Sequence, residues 1–143
     1  MGPASVNRAR RDFVLACGAL LVVRTAGAAA PTDLRRIGYL TAGSEGGAGA
    51  EGFRALVEGL RPLGWNEGRN LAIDARYADN RVDDLPRLAA ELVRTKPDVI
   101  VSVGPAPTLS LKRLDARTPI VFVAVADPVG IGLAKSLARP EGD

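Results

Sequence analysis

The sequence predicts an α/β fold built on a doubly wound parallel sheet. Short apolar runs alternate with amphipathic stretches along residues 31–143. Val99-Ile100-Val101-Ser102-Val103 is almost continuously apolar, as a strand buried on both faces must be. The connections between runs are short, which suits right-handed βαβ crossovers.

Taken in order, Arg36-Ile37-Gly38-Tyr39-Leu40-Thr41 is the first strand, followed by a glycine-rich loop over 43–52. Phe53, Leu56, Val57 and Leu60 recur at helical spacing, and Pro62 and Gly64 end that helix. Residues 70–77 place Leu71, Ile73 and Ala75 against Ala72, Asp74 and Arg76, the alternation of a half-exposed or edge strand. Asp83 and Asp84 are N-cap candidates for a second helix, whose buried face is Leu85, Leu88, Ala89, Leu92 and Val93. Pro97 stops it. After the buried strand at 99–103, residues 105–117 form a weaker helix, 120–125 a further buried strand, and 131–138 begin a fourth helix.

Residues 1–30 are set apart as an export signal. Arg10 and Arg11 precede an uncharged run at 13–23, and Ala26-Gly27-Ala28 offers small residues for a signal peptidase. The run is shorter than the ~20 residues that span a bilayer. Arg10-Arg11-Asp12-Phe13-Val14-Leu15 also fits a twin-arginine signal, so the general and twin-arginine routes both remain open. Cys17 follows Val14-Leu15-Ala16 in a loose lipoprotein pattern, but the apolar stretch before it is too short for that processing. The expected location is periplasmic, with membrane contact only through the leader.

The leader also carries the charge. It holds four arginines against one aspartate, and the whole chain is only +3, so residues 31–143 are neutral. That gives no support to a nucleic-acid partner. There is no histidine and Cys17 is the single cysteine, which removes the commonest general base, His-based catalytic pairs and thiolate metal sites. The expectation is a non-enzyme without cofactor or metal.

In an open parallel sheet, ligands bind at the carboxyl ends of the strands near the switch in strand order. Four loops fall there, over 41–46, 78–81, 104–108 and 126–130. The candidate ligand-binding residues are Thr41, Ala42, Gly43 and Ser44 in the first, Gly104, Pro105, Ala106 and Thr108 in the third, and Asp127 and Pro128 in the fourth. Free N–H groups at the start of the helix after Gly104 suit a carboxylate, and Asp127 suits an amine. An ordinary turn role competes at Gly104 and Asp127. Tyr77, at a strand end, is a further possible site residue; Trp65 is read as a packing anchor. Gly47-Ala48-Gly49-Ala50-Glu51-Gly52 fits a dinucleotide pattern, but it starts six residues after Thr41 and carries Glu51 where a pyrophosphate would lie; an exposed loop is the better reading.

Several segments together resemble ABC-transporter substrate-binding proteins: Arg36-Ile37-Gly38-Tyr39-Leu40, Gly59-Leu60-Arg61-Pro62-Leu63-Gly64-Trp65, Pro97-Asp98-Val99-Ile100-Val101 and, most specifically, Asp127-Pro128-Val129-Gly130 with Gly132-Leu133-Ala134. The resemblance implies a type I periplasmic-binding-protein fold, in which two flavodoxin-like lobes close on a small solute, some relatives taking amino acids. It further implies a permease partner, and that residues 31–143 are the N-terminal lobe, truncated, with the second lobe absent and binding weak. The alternative is a small exported flavodoxin- or dinucleotide-like cofactor-binding domain.

Overall fold

The computed structural model describes residues 34–114 and 117–136. Four strands, β1 (Arg35–Thr41), β2 (Leu71–Tyr77), β3 (Val99–Val103) and β4 (Ile120–Val123), form one sheet in the order β2-β1-β3-β4. Every pairing is parallel. Three helices, α1 (Ala48–Leu60), α2 (Leu85–Arg94) and α3 (Pro105–Lys112), make the crossovers. The α/β doubly wound class is therefore observed. The segment 1–30 expected to be an export signal, with Cys17, Arg10 and Arg11, lies outside the described residues.

Alternation along β1 assigns the helices to faces. Tyr39 meets Phe53 of α1 edge-on, with ring centroids 5.5 Å apart. Its neighbours Gly38 and Leu40 point the other way. A Cβ on Gly38 would sit 3.0 Å from Leu92 of α2, so the missing side chain lets α2 lie close to the sheet. Leu40 joins Leu85, Leu88, Ala89, Leu92, Ile100 and Leu111 in one buried cluster shared by β1, α2, β3 and α3. The five residues named for the inner face of α2 match this packing, four of them buried and Val93 half-buried.

Four local readings need correction. The segment 43–52 is not all loop: α1 begins at Ala48. Its glycines serve packing, since a Cβ on Gly49 would lie 2.7 Å from the Ser44 carbonyl oxygen and one on Gly52 2.7 Å from the Tyr39 hydroxyl. The fourth strand ends at Val123 and is not buried on both faces, with Val121 at 52% and Val123 at 47% exposure. These valines share the α1 face of the sheet with Val101, where no described helix covers them. No fourth helix forms over 131–136; instead the chain turns tightly, Leu133 and Ala134 both donating to the Pro128 carbonyl at 2.7 and 3.0 Å. Finally, Asp84 sits at the N-cap of α2 without a capping bond, because its carboxylate pairs with Arg81 at 3.0 Å and Arg87 at 3.9 Å.

At the amino end of the sheet, Asp98 locks β3 to β1. Its carboxylate accepts the Arg36 N–H at 2.7 Å while its own N–H donates to the Arg36 carbonyl at 2.8 Å. The Arg36 N–H, outweighing slight desolvation and joined by the Arg35 guanidinium, holds the Asp98 carboxyl below its ordinary value. A depressed folded pKa stabilises the fold above the unfolded value and loses that contribution as pH falls through the folded one. Acid unfolding of Asp98→Asn is therefore expected to depend less on pH below about 4 than that of the parent. Parallel acid-unfolding curves for the two proteins would contradict this.

Candidate functional site

The switch in strand order falls between β1 and β3, because the chain leaves β1 toward β2 on one side and returns to β3 on the other. Thr41 is the last residue of β1 and lies between Tyr77 of β2 and Val103 of β3. Three of the four loops meet around it. The loops after β1 and β2 are laced together by backbone bonds: Ala78 N–H to Thr41 at 3.0 Å, Asn80 to Ala42 at 2.7 Å and Asp79 to Gly43 at 3.3 Å. Asp79 and Asn80 both adopt left-handed backbone, φ 51° and 63°, a conformation Asp and Asn tolerate better than most residues.

The structure divides the candidate residues by what they can reach. Thr41 is buried and its hydroxyl accepts the Gly43 N–H at 3.1 Å, so it shapes the loop from below. Ala42 and Ala106 are half-buried and pack on the core cluster. Gly43 passes so close to α1 that a Cβ would lie 2.9 Å from the Gly49 nitrogen. Ser44 is half-buried at the surface of the loop, and Pro105 is exposed.

Thr108 is not at the surface. It is 2% exposed, its hydroxyl donates to the Gly104 carbonyl at 2.8 Å and lies 2.8 Å from the Ser102 hydroxyl on β3. This buried pair holds the β3–α3 turn from behind. Gly104 makes that turn with φ 92° and ψ 167°, a region open essentially to glycine alone, and its N–H bonds to Val123 at 2.8 Å. Ser102→Ala should cost about 1 kcal/mol, because Thr108 keeps its bond to Gly104 and only one buried contact is lost. A loss above about 3 kcal/mol in urea unfolding would mean that the pair carries more of the turn than the geometry indicates.

The N-terminus of α3 is a poorer anion site than its position suggests. Pro105 and Pro107 carry no N–H, so of the first three helical residues only Ala106 has a donor to offer. Asp127 has a local task as well. It is exposed, and its Oδ1 accepts the Gly130 N–H at 2.8 Å, with the Ile131 N–H on its carbonyl at 3.3 Å. A Cβ on Gly130 would collide with the Asp127 carboxylate, so a larger residue there would push that side chain out of its bond to the Gly130 N–H. Pro128 is buried beneath the same turn. Lys112 of α3 ties this turn back through the Gly132 carbonyl.

Sequence reading noted Tyr77 and overlooked Glu45. Tyr77 is half-buried at the end of β2, with its ring centroid 6.1 Å from that of Tyr39. Burial, and then the charge of Glu45 in the loop after β1, raise the Tyr77 phenol above its ordinary value. Tyr39 is raised by burial and then by Tyr77, and its hydroxyl donates to the Gly49 carbonyl at 3.1 Å. The signal that could have found Glu45 is its place four residues past the end of β1, opposite the end of β2.

Comparison with known proteins agrees with this architecture. The chain is 30% identical over 90 residues to a tyrosine-binding protein of Clostridioides difficile (strain R20291), covering 63% of this chain and 26% of that protein. A substrate-binding protein with adhesive properties from Clostridium difficile, solved in its ligand-free open form, matches at 26% identity and TM-score 0.63 over 72% of this chain and 35% of that one. An ABC domain from Streptococcus pneumoniae in complex with L-Trp shares the fold at 22% identity and TM-score 0.68, covering 76% and 36%. The chain thus spans about a quarter to a third of the length of these relatives. Residues 45–143, more than half of the chain, match the ABC transporter substrate binding protein family, and the chain belongs to that family.

Proposed function

We propose that this chain recognises a small solute, an amino acid, for an ABC importer, at the loops after β1, β2 and β3. The observation that carries the reading is the meeting of those loops at the switch between β1 and β3, in a chain of the substrate-binding family. The amino-acid class is supported by the tyrosine-binding relative. In this reading residues 1–30 direct export to the periplasm and 31–143 form the N-terminal lobe. A permease is the partner, and the chain delivers its solute unchanged, as a receptor and not an enzyme.

Loops on one sheet end touch a solute from one side only. Binding by these 143 residues alone is therefore expected near the millimolar range, about 1000-fold or ~4 kcal/mol short of a micromolar receptor. Saturation-transfer NMR of the whole chain against the twenty L-amino acids, with neutral sugars for comparison, tests both points. Transfer to one or a few amino acids at millimolar concentration is the expected result. Equal transfer to sugars, or none to any amino acid, would overturn the reading; a micromolar constant would overturn the one-sided site.

A further inference from the structure

We propose that Glu45 and Tyr77 form the corner of this site that recognises a primary ammonium group, so that the solute is an amine-bearing molecule. The inference rests on the solute-binding reading above. Three of the chain's six aromatic residues, Tyr39, Phe53 and Tyr77, gather at the carboxyl ends of β1 and β2. The two inner members are committed. Phe53 packs edge-on against Tyr39, and the Tyr39 hydroxyl is spent on the Gly49 carbonyl. Tyr77 differs: it is half-buried, its ring is braced by Tyr39, and its hydroxyl has no hydrogen-bond partner among the described residues.

Glu45 supplies the sign. It is exposed in the loop after β1 and joins no ion pair among the described residues. It stands four residues beyond Thr41, the register partner of Tyr77, in a loop bonded to the one that follows Tyr77, and its negative charge adds to the rise of the Tyr77 phenol. A carboxylate solute group would be repelled there. An ammonium would accept both invitations, donating to the carboxylate and the phenol oxygen while lying near aromatic ring faces. Asp127 is a weaker candidate for the same task, because Gly130 already occupies one of its oxygens. A metal ion is a poorer fit than an amine, since no group of three ligating side chains occurs among the described residues.

The test uses the full chain with its two tyrosines labelled in the ring with carbon-13, titrated with L-tyrosine, with tyramine and with 3-(4-hydroxyphenyl)propanoate, the deaminated analogue. The Tyr77 resonance should move with the first two probes and not with the third. Glu45→Gln, a surface change, should weaken both amine probes about tenfold. Tyr77→Phe, which keeps the ring packing, should weaken them less. Equal response to all three probes, or titrations unaltered by Glu45→Gln, would overturn the ammonium corner and leave solute binding standing. No response anywhere in the chain to any probe would overturn the ammonium corner, and the solute-binding reading falls with it only if the twenty amino acids also give no transfer.

Discussion

Leu92→Ala is expected to lower the unfolding free energy by about 3 kcal/mol, within the range of about 2–5 measured for buried leucines. Leu92 is fully buried on α2, and its branched end lies against Gly38 of β1. On that side the wall is backbone, with no side chain to swing into the space left behind. The cavity should therefore stay open, which keeps the cost above the low end of the range. For a small domain with a total stability near the low end of about 5–15 kcal/mol, such a loss brings the protein close to unfolding at ambient temperature. Urea titration by circular dichroism measures it. A shift worth less than about 1 kcal/mol would mean that α2 does not sit on β1 as described.

The second large effect is expected at Gly104. A Cβ there would meet nothing closer than Pro107 Cδ at 4.0 Å, so space is not the issue. The cost is conformational. At φ 92° and ψ 167° an alanine is forced into a region it does not occupy, for roughly 2 kcal/mol. If the chain escapes that strain by re-forming the turn, it gives up the Gly104 N–H bond to Val123 and the Thr108 bond to the Gly104 carbonyl. Gly104→Ala should therefore both destabilise the protein and displace the loop at 104–106. Gly46→Ala is the control: it has no neighbour within 4 Å of the added carbon and no positive φ, and should change stability by less than about 0.5 kcal/mol. Similar stabilities for the two variants would contradict the assigned backbone at Gly104.

The parts of the fold that could be read in advance are those where the pattern is set by burial on a regular element. The inner face of α2 and the buried core of β3 repeat with the period of a helix or fill a strand, and both appear where that pattern places them. The failures come where neighbours decide. Residues 120–125 are as apolar as β3, yet composition cannot reveal that β4 lies at the end of the sheet with its α1 face uncovered. The glycines at 49 and 52 look like loop residues because helix propensity is poor, but close approach of α1 to Ser44 and Tyr39 overrides propensity.

The candidate site was legible at the level of loops, since strand carboxyl ends follow from topology. It was not legible at the level of side chains. Thr108 and Thr41 are polar residues at the right positions, and both turn out to be spent on the protein's own backbone. The prolines that rigidify the start of α3 also strip it of donors, a consequence visible in the residues but outweighed in reading by the position of the helix. Glu45 lies in the loop after β1 and Tyr77 ends β2, and only the parallel pairing of β1 with β2 sets that loop beside the end of β2.

The most direct test of the account is amide mapping of the nitrogen-15-labelled chain, at millimolar concentration, with L-tyrosine and with the L-amino acid that gives the strongest saturation transfer. The account predicts that the perturbed amides cluster at 42–46, 77–81 and 104–106, around the carboxyl end of β1. Perturbations gathered instead at the opposite end of the sheet, in the shallow depression lined by Arg36, Ile37, Ala72, Ile73, Asp74, Thr95 and Pro97, or absent altogether, would contradict it.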